Sequence, residues 1–157
     1  MQSEEVILPS LVLKEDIYTV MRELDLLLDS VYKKDTEGFD EVVKRLINLD
    51  LYNAVIKSFE INGGANSIQA KKTIIELLKK HLEEIPVLKL ELAVSPTREV
   101  TERIHDWAKM NLDENVVLEI SDDNRLLAGA KLSYGGKYTD KTLLKRWPSL
   151  WEKVKKE

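Results

Sequence analysis

Pro86-Val87-Leu88-Lys89-Leu90-Glu91-Leu92-Ala93-Val94-Ser95-Pro96 is the stretch on which the fold turns. Leu88, Leu90, Leu92 and Val94 alternate with Lys89, Glu91 and Ala93, and an apolar residue at every second position predicts a strand with one buried face. Everything before Pro86 follows a different period. Ile17, Val20, Met21, Leu24, Leu27, Leu28 and Val31 recur at three and four, which places them on one stripe of a helix from about Lys14 to Lys34, with Arg22, Glu23, Asp25 and Asp29 on the other faces. Pro86 is therefore the expected boundary between a helical region and a mixed one.

Within the helical region, Gly38 ends the first stripe, and Val42, Val43, Leu46 and Ile47 begin a second that Ala54, Val55 and Phe59 continue past a break near Asp50. The pattern fits one helix or two. Asn62-Gly63-Gly64 is a turn, since glycine accepts the positive φ that ends helices. Asn66 or Ser67 then caps a helix carrying Ile68, Ile75, Leu78, Leu82 and Ile85. Three or four such helices bury their stripes by packing on one another.

Beyond the strand, Ser95 is expected to cap a helix with Pro96 in its first turn, and Val100, Ile104, Trp107 and Ala108 are expected on its inner face. A second strand runs from Val116 to Ile120. Ala130 to Tyr134 and Lys137 to Thr139 flank Gly135-Gly136, a two-residue hairpin turn. Leu143, Leu144 and Trp147 open a terminal helix that Pro148 kinks or ends. The fold class is α+β: an N-terminal helical bundle, 1–85, then a small domain, 86–157, of order strand, helix, strand, hairpin, helix.

The chain has 157 residues, 43% hydrophobic and 33% charged, the composition of a soluble globular protein. It has no cysteine, so disulfides, thiolate metal sites and cysteine nucleophiles are excluded. Its acidic start and short apolar run, Val6-Ile7-Leu8, fit neither a signal peptide nor a membrane span. A net charge of -4 argues against general nucleic-acid binding, which needs a basic face. From Lys141 to Glu157 the balance reverses, with Lys141, Lys145, Arg146, Lys153, Lys155 and Lys156 against Glu152 and Glu157. Cations there suit the dipole of a helix C-terminus.

No catalytic constellation emerges. His105 and Asp106 are adjacent, so on a helix their side chains diverge, and His81 lies among Lys80 and Glu83; both read as surface or boundary histidines. Asp122-Asp123-Asn124 lacks the frame of a calcium loop and reads as a polar turn. Gly63-Gly64, Ala128-Gly129 and Gly135-Gly136 match neither a dinucleotide nor a phosphate loop. Gly129 reads instead as a place where another segment passes close to the backbone. No cofactor, metal or catalytic residue is expected. Trp107 is expected in the core; Trp147 and Trp151 are four apart on a candidate helix, and Trp151 fits core or interface equally.

The stretch Asp123-Asn124-Arg125-Leu126-Leu127-Ala128-Gly129-Ala130-Lys131-Leu132-Ser133-Tyr134-Gly135-Gly136-Lys137-Tyr138-Thr139-Asp140-Lys141-Thr142 resembles the C-terminal motif of the ATP synthase delta subunit, the family of the oligomycin-sensitivity-conferring protein. Asp123, Leu126, Leu127, Gly129, Leu132, Gly135, Asp140 and Thr142 fall in the motif's positions without a gap. Ala128 replaces the first glycine of its pair, and Lys141-Thr142 replaces its closing Gly-Ser. Leu8-Pro9 followed by Arg22-Glu23-Leu24 also looks like the short bacterial members, although the family's bundle of about six helices is compressed here to three or four.

The resemblance implies a non-catalytic stator subunit at the cytoplasmic face of the membrane, membrane-associated only through its complex. It would join the N-termini of alpha subunits to the C-termini of b subunits in the peripheral stalk. Ile17, Met21, Leu24 and Leu28 are the expected anchors for the first partner, and Lys145, Trp147, Trp151 and Lys153 for the second. The alternative is an unrelated α+β module that binds protein, or RNA through its basic tail. No RNP-like aromatic strand favours the RNA version.

Overall fold

The computed structural model describes residues 5–32, 43–45, 47–64, 67–126 and 128–142. The fold is α+β, with helices in the N-terminal part and a four-stranded mixed sheet in the C-terminal part. The chain divides into two compact units, Met1–Leu11 with Glu15–Ile85, and Val12–Lys14 with Pro86–Glu157.

The first unit is built on α1 (Lys14–Tyr32), α2 (Leu49–Ile61) and α3 (Ile68–Glu83). Along α1 the expected stripe points inward: Leu24 and Leu27 are fully buried, and Ile17, Val20 and Val31 nearly so. Leu51, Ala54, Val55 and Phe59 from α2 and Ile74, Ile75, Leu78 and Leu82 from α3 are buried with them. The break in the second stripe falls at Asn48, two residues before the expected Asp50. Its side-chain oxygen accepts from the Leu51 N–H at 2.8 Å, while Glu23 Oε2 accepts from its backbone N–H and side-chain amide. Ser67 caps α3, accepting from the Ala70 N–H at 3.1 Å. Ile68, expected on the buried stripe, is exposed; Ile74 fills the interior beside Ile75.

The second unit holds β1 (Val87–Leu92), α4 (Arg98–Asn111), β2 (Val117–Asp122), β3 (Ala130–Tyr134) and β4 (Lys137–Asp140). The strand order is β2-β1-β3-β4. β1 pairs parallel with β2, in register from Val87 opposite Val117 to Leu92 opposite Asp122, and antiparallel with β3, with Leu90 opposite Leu132. β3 and β4 form the hairpin, Tyr134 opposite Lys137, across Gly135-Gly136 at φ +53° and +76°. Val12–Lys14 adds to the outer edge of β2, where the Leu118 N–H donates to the Val12 carbonyl at 2.9 Å. A parallel pair needs a crossover, and α4 is that crossover between β1 and β2.

Three local expectations give way in this unit. β1 ends at Leu92, leaving Val94 exposed. Thr97, not Ser95, caps α4, its hydroxyl accepting from the Val100 N–H at 3.4 Å; the Ser95 hydroxyl donates instead to Asp122. The inner face of α4 is Ile104, His105 and Ala108, of which Ile104 and Ala108 pack in one cluster with Leu88, Leu90 and Leu118 of the sheet, while Trp107, expected in the core, is 48% exposed and Val100 is 43% exposed. Ala108 on this face is fully buried.

Candidate functional site

The motif residues converge on one corner of the second unit. After β2 the chain turns at Asp123, whose N–H donates to the Leu92 carbonyl at 2.8 Å and whose own carbonyl accepts from the Leu126 N–H at 2.9 Å. That turn drives Leu126 inward, where it is 6% exposed. The Asp123 carboxylate accepts from the Arg125 backbone N–H at 3.1 Å and from Arg125 Nε at 2.8 Å, with Lys131 Nζ at 3.6 Å. The Arg125 guanidinium, helped by its backbone N–H, pulls this carboxyl from the ordinary aspartate value down to about 2.

Gly129 sits at φ +94°, where side chains are disfavoured, and a Cβ there would lie 2.4 Å from the Lys141 carbonyl oxygen and 2.9 Å from Thr142 Cα. The segment leaving β4 therefore passes directly over Gly129, which is the close approach expected of that glycine. Lys141 is held there by its N–H donating to the Ala130 carbonyl at 2.9 Å. Asp140 Oδ1 accepts from both the N–H and the hydroxyl of Thr142, at 2.9 and 2.7 Å, and Thr142 is 2% exposed. Thus Asp123, Leu126, Gly129, Asp140 and Thr142 each fold the backbone or fill the interior at this corner. Gly135 makes the hairpin turn and Leu132 faces the sheet's apolar side, whereas Leu127 lies outside the described residues.

The two faces of the sheet differ in chemistry. One carries charge: Glu119 accepts from Lys14 at 2.9 Å with Lys89 at 3.4 Å, and Glu91 accepts from Lys131 at 2.9 Å. The hydrogen bond from Lys14 is the main reason the Glu119 carboxyl is held below its ordinary value. The opposite face is apolar and meets α4. Between α4 and the β1–β3 part of this face runs a trough of about 540 Å³, floored by Leu92, Ala130 and Leu132 and walled by Val100, Arg103 and Trp107. The sequence pattern did not indicate it.

Both histidines are accounted for by backbone partners. His105 is buried and its Nε2 donates to the Val116 carbonyl at 3.0 Å; His81 is exposed and its Nδ1 donates to the Leu77 carbonyl at 2.9 Å. No group of three or more His, Cys, Asp or Glu side chains is placed to hold a metal ion among the described residues. No helix among them is long and apolar enough to cross a membrane.

Of the anchors expected for an alpha-subunit peptide, Ile17 and Leu24 are core residues at 9% and 0% exposure, so their side chains have almost no surface to offer. Met21 and Leu28 are half-buried. A cleft of about 240 Å³ in the first unit, lined by Leu11, Thr19, Val20 and Leu49 among others, adjoins this part of α1, and Leu49 is 72% exposed. Lys145, Trp147, Trp151 and Lys153 lie outside the described residues, as does the expected terminal helix. No protein-family model matches the chain, and no curated protein matches it.

Proposed function

We propose that this chain is a non-catalytic connector, the stator subunit of an F-type ATP synthase, of the delta-subunit family that its C-terminal motif resembles. The observation that carries the reading is the corner at Gly129. Motif residues brought together there make turns, a close backbone approach and buried contacts, as expected of a signature retained for architecture. Two compact units supply two ends: the helical one for alpha-subunit N-termini, the α+β one for the b-subunit stalk. Held at both ends, such a subunit resists rotation of the catalytic head without taking part in chemistry. Its place is then the cytoplasmic face of the membrane, through the complex alone.

Depletion of the chain from native membranes tests this. Torque transmission requires a stator whereas ATP hydrolysis by the head does not, so ATP-driven ion pumping is lost and hydrolysis persists. Restoring the chain restores pumping. Unchanged pumping after depletion overturns the proposal. The purified chain is also expected to show no ATP binding by calorimetry, and micromolar binding would contradict the reading.

A further inference from the structure

β2 and β4 end the strand order, and an end strand offers its outer row of N–H and C=O groups to any extended chain that comes alongside. The two ends differ in sequence. β4 is only Lys137–Asp140, charged at both its first and last residue, the short charged form that discourages pairing. At the β2 end, Val116-Val117-Leu118-Glu119-Ile120 holds a single charge among β-branched residues and leucine, with no proline. A window of that composition favours pairing with a copy of itself.

Val12–Lys14 lies along that edge as a strap. Val117 donates its N–H inward, to the Pro86 carbonyl at 3.0 Å, so by the alternation of a strand Leu118 and Ile120 aim theirs outward. The Leu118 N–H meets the Val12 carbonyl at 2.9 Å, and Leu13 bridges Leu118 as a parallel partner. Leu13 packs against the cluster built on Leu88, Leu90 and Leu118, on the apolar side of the sheet. Lys14 reaches the charged side, its Nζ 2.9 Å from Glu119, with Lys89 on the same carboxylate at 3.4 Å. The strap is thus held at the backbone, by an apolar contact and by an ion pair. The side chains of that pair are 29% and 33% exposed, which makes it a modest fastening.

We propose that Val12–Lys14 is an edge guard: it closes β2 against pairing with the β2 of a second copy of the chain, and the Lys14–Glu119 pair helps to fasten it. The proposal is independent of the connector reading. In the full-length chain, Leu13→Asp puts a charge where Leu13 packs and is expected to free the strap. The Leu118 amide in dilute solution should then exchange about tenfold faster, the scale of one lost backbone hydrogen bond, while β1 amides and circular dichroism stay unchanged. On raising the concentration, sedimentation should show self-association that the parent chain lacks, and the Leu118 and Ile120 amides should gain protection. Protection at those two outward amides separates edge pairing from unspecific aggregation.

A charge cycle makes the same test without touching the core. Lys14→Glu sets like charge against Glu119 and should shift Leu118 exchange and self-association in the same direction as Leu13→Asp. Adding Glu119→Lys restores opposite charges and should return both to the parent values. The proposal is overturned if the strap is freed without self-association, or if association leaves Leu118 and Ile120 unprotected. It is equally overturned if the Leu118 amide stays protected in both single variants, or if the double variant does not revert. Should Leu13→Asp lose its circular dichroism signal, the charge cycle decides alone.

Discussion

Replacing Gly129 by alanine adds a single methyl group at the most constrained point of the motif. Two effects add. Holding a non-glycine residue at φ +94° costs about 1–2 kcal/mol, the usual penalty of the left-handed region. The added Cβ then meets backbone at 2.4 Å and 2.9 Å, and because those atoms belong to Lys141 and Thr142, held by hydrogen bonds to Ala130 and Asp140, they cannot swing away. Overpacking of this kind costs a further 1–3 kcal/mol or so, for a total of roughly 2–5 kcal/mol. Gly136 is the internal control: it has φ +76°, yet nothing lies within 4 Å of its Cβ position, so Gly136→Ala bears only the backbone term. Backbone amides of β1, β3 and β4, followed by NMR through a urea titration, report on the second unit. Gly129→Ala should lower its stability by at least about 1 kcal/mol more than Gly136→Ala. Equal losses would refute the argument that the crossing segment is what fixes Gly129.

Other expectations follow from single contacts. NMR titration of the Asp123 carboxyl should give a midpoint near 2. A depressed aspartate contributes stability that is fully present above its unfolded value, about 4, and lost as pH falls toward 2, so Asp123→Asn should flatten the acid limb of the stability curve in that window. Ser67→Ala should cost the first unit about 1 kcal/mol by far-UV circular dichroism, since it removes the acceptor for the Ala70 N–H. Leu118→Ala, at a fully buried position under α4, should cost roughly 2–5 kcal/mol. Trp107→Ala should cost clearly less than Leu118→Ala, because nearly half of that ring is already in water.

What the sequence made legible was local. The change of period at Pro86, the α1 stripe, the Gly135-Gly136 hairpin and the crowding at Gly129 each depend on residues near one another in the chain, and periodicity or glycine placement exposes such features directly. Trp107 shows where that stops. α4 carries two adjacent apolar stripes, one through Ile104 and Ala108 and one through Val100 and Trp107, and period alone cannot say which faces the sheet. The choice depends on the sheet. Ser95 and Thr97 were both chemically able to cap α4, and the pairing of Ser95 with Asp122 from the end of β2 removed one of them. Val12–Lys14 joining β2, and the trough beside α4, are long-range outcomes with no local signature.

Amide hydrogen exchange on the full-length chain, alone and with each proposed partner from the same organism, tests the proposed two-ended connector most directly. An alpha-subunit N-terminal peptide should slow exchange in the first unit, among α1 and α2, and leave the sheet unchanged. The C-terminal helix of the b subunit should protect β1, β3 and α4, with both effects present together in the ternary mixture. Protection of one unit by both partners, competition between them, or no protection by either at saturating concentration would contradict the account.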